Sequence, residues 1–338
     1  MSFDFYAPSS LVSTPQKPQV ETLNSPAPIL SEAFEQFAKW RQWKPKAEAG
    51  FRKMFEDILH FTGDKPVNVI SRRDIKNTLN KIALLPRRNN LKYGNTHVSQ
   101  LAKLDVPEDE RISSKTVKGY LALLQGLFST FLTNELEILT ESPTNKVKWE
   151  TDVVRYACIS NALIKELLQT AESKPEWFTW FLRIAVYSGA RRSEIAQLKA
   201  SDFKLDPDSN RYYFIIHTGK TAAARRCVPV HPRLIEYGLM EWIEGVEGEL
   251  FPIPAKHPFR ATDIFRRMVR EHRNDTGEKI SLHSVRHTFI TKSRSAGISE
   301  VLIQQVVGHE KRGAGITDRY THTFPLSAVL PAVDCIKY

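Results

Sequence analysis

The sequence predicts a mainly α protein of two domains, the second carrying a small antiparallel β-sheet. Three observations predict it. Apolar residues recur at helical spacing through most of the chain. Two segments, "RYYFIIHT" and "RRCVPV", alternate like strands, and "GKTAAA" between them reads as a hairpin tip. The stretch "ESPTNKVKWETDVV" (141–154), broken by Pro143, reads as a linker between two parts that are each long enough for a core.

The elements follow in order. Residues 1–30 hold five prolines and many Ser, Thr and Gln, and are expected to form a disordered or loosely attached tail. "SEAFEQFAKWRQW" places Phe34, Phe37, Ala38 and Trp40 at helical spacing, with Ser31 as the expected N-cap. "AEAGFRKMFEDILHF" repeats the pattern with Phe51, Met54, Phe55, Ile58 and Leu59. "SRRDIKNTLNKIALL" starts at a capping Ser71 and carries Ile75, Leu79 and Ile82. "SSKTVKGYLALLQGLFSTFLTN" supplies Val117, Tyr120, Leu121, Leu124, Phe128 and Leu132. Four amphipathic helices make a helical domain over 31–140. The connection before the fourth is about 28 residues, long for a compact bundle. Its Arg87, Arg88, Lys92 and Lys103 suit phosphate contacts or a solvated loop. The second domain, 155–338, begins with helical "SNALIKELLQTAES" and "PEWFTWFLRIAVYSGA", passes through the hairpin, and is mainly helical from Pro232.

Composition narrows the function. Of 338 residues, 41% are hydrophobic and 25% charged, an ordinary globular balance. No apolar run approaches the roughly 20 residues that span a bilayer, and no secretory leader is expected. The net charge of +10 favours a polyanionic partner, most simply nucleic acid, over a merely basic surface. Cys158, Cys227 and Cys335 are scattered without metal-type spacing, as in a reducing cytoplasm.

The chemistry centres on "LHSVRHTF". His283, Arg286 and His287 stand at i, i+3 and i+4, on one helical face. That face fits a zinc site, a phosphate site or a structural cluster. Zinc fits poorly: Ser284 stands where a zinc-protease motif needs Glu, and Arg286 repels a cation. Phosphate gathers support elsewhere. "SGARRSEIAQL" turns at Gly189 and presents Arg191; "HTGKTAAARRCVPV" puts Lys220 on the hairpin tip; "VVGHEKRGAGITDRYTH" supplies His309 and Tyr320. Each alone has a plain structural reading, as a surface charge or a core aromatic.

Taken in order, these boxes resemble the catalytic domain of the tyrosine recombinase, or phage integrase, family over about 155–325. "SGARRSE" is similar to the family's first arginine box, matching Arg191 to the catalytic arginine and Glu194 to its supporting acid. Lys220 matches the hairpin lysine, "HSVRH" the box of His283 and Arg286, His309 the GH box, and Tyr320 the nucleophile. Adjacent Arg192 competes with Arg191, and register to Gly189 and Glu194 favours Arg191. The stretch from His309 to Tyr320 is about two residues longer than the resemblance leads one to expect. Tyr338 is a rival nucleophile, and His287 is left structural.

The resemblance implies a two-domain DNA clamp whose helical 31–140 is the core-type DNA-binding domain, with DNA contacts from Arg87, Arg88, Lys92 and Lys103. It implies cleavage and rejoining of DNA through a 3′-phosphotyrosyl bond, with no metal, cofactor or ATP. The expected partners are double-stranded DNA and three further copies, in a homotetramer linked by exchange of the apolar tail after Tyr320; accessory DNA-bending or directionality proteins are possible partners. The expected role is integration or excision of a phage or genomic island in a bacterial cytoplasm. The alternatives are a dimer-resolution or transposon recombinase, a DNA-binding protein that has lost catalysis, and a metal-dependent nuclease, against which the absence of an acidic cluster argues. Residues 1–30 are too short for an arm-binding domain, so such a domain, if the protein has one, lies outside this sequence.

Overall fold

Helix formation starts where buried apolar residues begin. The computed structural model describes residues 27–151, 156–217, 225–272, 278–308 and 324–338. Its chain divides into two units, Met1–Val153 and Val154–Tyr338.

In the first unit, helix α1 (Leu30–Arg41) begins one residue before the expected boundary, and its N-cap is Ile29, not Ser31. Leu30 is fully buried and so belongs to the core, not to a tail. Ser31 is used differently: its N–H and hydroxyl donate to the two Asp64 carboxylate oxygens at 2.9 and 2.7 Å. Helix α2 (Pro45–Thr62) starts on proline, whose fixed φ suits the first helical turn. Helix α3 (Arg72–Ala83) is capped by Ser71, whose hydroxyl accepts the Asp74 N–H, as the sequence predicts. Helix α4 (Val98–Leu101) is one turn, and α5 (Ser114–Gln125) runs on as a π-helix over Gly126–Glu135. Phe34, Phe37, Ile58, Leu79, Leu124 and Phe128 fill the core between them.

The long basic connection is not slack. Leu85, Tyr93, Val98 and Leu101 form a small core of their own, and Pro86 pairs with Arg111 to close its base. It is tied to the helices through Asp57, which is 1% exposed: the Arg88 guanidinium and the Tyr120 hydroxyl both donate to that carboxylate. Burial raises the Asp57 carboxyl, with Tyr120 and Arg88 opposing. The expected linker is a linker only in part, because Ser142, Thr144 and Val147 are buried in the first unit.

In the second unit come α6 (Asn161–Ala171), α7 (Glu176–Ser188) and α8 (Arg192–Ile195), then β1 (Phe203–Asp206), β2 (Arg211–Ile216) and β3 (Arg226–Pro229). The sheet is antiparallel in the order β1-β2-β3, with Phe214 opposite both Phe203 and Val228. Strand β1 is not expected from the sequence; at four residues it is too short to show a period. Helices α9 (Pro232–Glu236), α10 (Leu239–Ile243), α11 (Pro252–Lys256), α12 (Arg260–Met268), α13 (Leu282–Ser295) and α14 (Glu300–Val307) follow. Helix α7 is buried from Phe178 to Ser188, except at Arg183, and packs on α13, which makes it the spine of the unit.

The tail departs from expectation at Pro331. Helix α15 (Leu326–Asp334) runs through Pro331 instead of being divided there, with Pro325 as its N-cap. The missing proline N–H is offset by burial of Val329, Ala332, Val333 and Ile336. The tail lies on its own unit, against α14 and β3. His231 Nε2 bonds the Ile336 carbonyl at 2.9 Å, Arg211 pairs with Asp334, and the Gln305 amide holds both backbone groups of Phe324 at 2.9 Å. Among the described residues no helix is long and apolar enough to cross a membrane.

Candidate active site

The site forms where three chain turns meet in the second unit. Helix α7 ends at Gly189, whose φ of +62° is left-handed, and a Cβ there would lie 2.6 Å from the Phe289 ring. The turn delivers Arg191 to the start of α8. Its N–H and Nη1 both donate to Glu194, at 2.7 Å each, and Nη2 donates to the Gly308 carbonyl at 2.7 Å. Arg192 points elsewhere, with its guanidinium 5.1 Å over the Phe259 ring. The two adjacent arginines thus face different partners, Arg191 the Gly308 carbonyl and Arg192 the Phe259 ring.

Arg286 comes from α13. It is 3% exposed, and donates through Nη1 to the Gly189 carbonyl at 2.7 Å and through Nη2 to Val307 at 2.6 Å. Burial, then the nearby Arg191 charge, lowers its pKa, yet a guanidinium remains the charged form. The face shared by the three residues of the opening box is thus split. Arg286 turns inward, while His283 and His287 line the exposed edge with ring centroids 4.7 Å apart. Tyr156 stacks on His287 at 5.7 Å and meets His283 edge-on at 5.8 Å. Burial depresses both histidines, aided for His283 by His287, Arg286 and Arg191, so both are neutral near pH 7. No third His, Cys, Asp or Glu joins them in a metal-type group among the described residues.

Glu194 is the shared anion. Burial alone would raise its carboxyl, but the Arg226 guanidinium, with Arg191, outweighs this and holds it below the ordinary carboxylate range. Two arginines, Arg191 and Arg226, thus bond one carboxylate, and Arg286 lies close enough to feel its charge, which leaves surplus positive charge suited to an anion.

Of the residues singled out in the sequence, Arg191, Glu194, His283 and Arg286 come together. Lys220, His309 and Tyr320 lie outside the described residues. Tyr338 is placed poorly for attack: its hydroxyl is buried without a hydrogen-bond partner among the described residues, and burial raises its pKa. In the first unit, Arg88 is committed to Asp57 and is no free phosphate ligand. Arg87 is exposed, although its Nε donates to the Arg111 carbonyl at 2.7 Å; Lys92 lies 3.7 Å from Glu110; and Lys103 is exposed.

Comparison with known proteins decides the family. Residues 158–326 match the model of the phage integrase family. This chain belongs to the phage integrase family. Transposase B from transposon PsiTn554 of Staphylococcus aureus is 23% identical over 232 residues, which cover 63% of this chain and 35% of the transposase. The putative prophage phiRv2 integrase of Mycobacterium tuberculosis is 25% identical over 229 residues, 62% of this chain and 59% of that protein. The match thus spans only part of the length of either curated relative. A lambda integrase tetramer bound to a Holliday junction is similar in fold, with a TM-score of 0.61 at 16% identity, covering 88% of this chain and 80% of that one.

Sequence reasoning passed over one residue of this phage integrase site. Arg226 is bonded to Glu194 at 2.8 and 3.1 Å. The signal for it was present: Arg226, Val228 and Val230 alternate inward along "RRCVPV". His217, the last described residue before the hairpin tip, pairs with Asp202 at 2.9 Å; no motif marks that pair.

Proposed function

We propose that this protein is a site-specific DNA recombinase that cleaves and rejoins strands through a 3′-phosphotyrosyl intermediate. The observation that carries the reading is the meeting of Arg191 and Arg286, distant in sequence, on adjacent carbonyls of one helix end, in a chain of the phage integrase family. Each guanidinium has further N–H groups for the non-bridging oxygens of a phosphodiester, where charge grows in the transition state. Neutral His283 adds a donor at the exposed edge. Tyr320 attacks phosphorus as a site histidine takes its hydroxyl proton, the bond to the 5′ oxygen breaks, and Lys220 gives that oxygen its proton, with His309 assisting at the phosphate. The phosphotyrosyl bond conserves the phosphodiester energy, so a second 5′ hydroxyl reverses the step without ATP or a metal ion.

Both units contact the duplex, with Lys92, Lys103 and Arg87 contributing from the first. Four copies act together, as a lambda integrase does on a Holliday junction. Exchange of tails between them would replace in trans the contacts that α15 makes here within one chain. The expected setting is the cytoplasm and the expected substrate an attachment site of a mobile element, with accessory proteins setting direction. A transposon role is the second reading, favoured by the likeness to the PsiTn554 transposase.

The test is a labelled duplex nicked beside the cleavage position, which traps the adduct. The native chain gives a protein–DNA band stable to denaturant with a chelator present. Arg286→Lys keeps charge but loses the planar fork, and cleavage drops on the order of 100-fold. An Arg286→Lys chain that cleaves at the native rate contradicts the assignment.

A further inference from the structure

Arg226 lies in the same stretch as Lys220 but has no part in the proposed chemistry, yet it touches the parts that hold the site arginines. It opens β3 with its side chain 2% exposed, so it offers no substrate a free surface. Nη1 and Nη2 donate to the two Glu194 oxygens at 3.1 and 2.8 Å, and Nε donates to the Val306 carbonyl at 2.6 Å. The last turn of α14 thereby receives three arginines on three successive carbonyls: Arg226 on Val306, Arg286 on Val307 and Arg191 on Gly308. These carbonyls have no partner within their own helix, and they carry the negative end of its dipole. A second observation comes from Gly308 itself. Its φ is +67°, and a Cβ there would lie 2.5 Å from Arg226 Nη1 and 2.8 Å from Cζ. The guanidinium lies against the bare face of this glycine, whose own carbonyl holds Arg191.

We propose that Arg226 is a positioning residue for the two site arginines: it locks Glu194 and the last turn of α14 together, and so fixes the spacing at which Arg191 and Arg286 meet a phosphate. This rests on the phosphodiester chemistry proposed above. A merely structural ion pair would lower stability and leave cleavage by the folded protein unchanged. A positioning residue changes the rate of the bound complex, because a displacement near 1 Å at a reacting group costs on the order of 100-fold.

The experiment uses the full chain on the nicked duplex and reads DNA affinity, the single-turnover cleavage rate at saturating protein, and the melting temperature. Arg226→Lys keeps the charge and loses the fork. We expect affinity within about threefold of native and cleavage slower by about 30-fold or more. Gly308→Ala displaces the guanidinium without deleting it. It should slow cleavage in the native background and cost less, in both rate and melting temperature, in the Arg226→Lys background, where the slimmer side chain leaves room. Arg226→Lys melting lower but cleaving at the native rate would overturn the proposal, as would independent, multiplying effects of the two substitutions. If the native chain forms no adduct, the phosphotyrosyl reading fails. The melting-temperature coupling of Arg226 and Gly308 still decides whether the contact locks the helix end.

Discussion

Gly189→Ala tests the turn that delivers Arg191 and accepts Arg286. The new Cβ would stand 2.6 and 2.7 Å from two ring carbons of Phe289, which is fully buried and has no room to retreat. Holding alanine at left-handed φ costs about 1–2 kcal/mol. Forcing a methyl into a packed core adds about 1–3 kcal/mol. The sum is about 2–5 kcal/mol, centred near 3.5, and for a unit of this size it lowers the melting temperature by about 7–14 °C. The Gly189 carbonyl also accepts from Arg286, so backbone movement should reduce cleavage beyond the loss of folded protein. Thermal melting of the native, Gly189→Ala, Phe289→Leu and double-substituted chains measures the clash. The double should recover about 1 kcal/mol or more relative to the sum of the singles. A Gly189→Ala chain melting within about 2 °C of native, or strict additivity, would refute the reasoning.

Three further outcomes are expected. Burial lowers the pKa of His231, His283 and His287 in the folded chain, whereas unfolded histidine titrates near 6.5. As pH falls through about 6.5 the unfolded state binds protons the folded state refuses, so stability is full above about pH 7 and falls toward pH 5; melting scans that stay flat over that window would contradict this. Arg88→Ala should cost about 2–3 kcal/mol by stranding Asp57, whereas Lys103→Ala should leave the melting temperature unchanged and reduce the salt slope of DNA binding by about 1; urea titration and salt-dependent binding separate the two. Removal of residues 325–338 uncovers the faces of α14 and β3 that α15 buries, and should lower the melting temperature of the isolated chain; an unchanged value would mean the tail is not held in cis.

What the sequence made legible follows from which forces act locally. The helices of the first unit are set by apolar spacing and by the Ser71 cap, both readable within a dozen residues. Arg191, Glu194, His283 and Arg286, which the structure brings together, stand out in the sequence because their motifs are short and fall in a fixed order. The start of α1 was misplaced because Leu30 is recruited by the core, and Ser31 is drawn off to Asp64 on a distant segment. Arg88 looked like a phosphate ligand because its buried partner Asp57 lies 31 positions away. Arg226 and the His217–Asp202 pair act through tertiary contacts that leave only an alternation pattern, or nothing, in the local sequence. Pro331 is expected to divide the tail, but burial of its neighbours outweighs the missing N–H and the helix runs through it.

Tyr320 is the proposed covalent carrier of DNA. Peptide mapping by mass spectrometry of the trapped adduct, after nuclease and protease digestion, tests it most directly. The account predicts a nucleotide on the peptide that contains Tyr320, and no adduct from Tyr320→Phe at unchanged DNA affinity. A nucleotide on Tyr338 or on any other residue, or an adduct that persists in Tyr320→Phe, would contradict it.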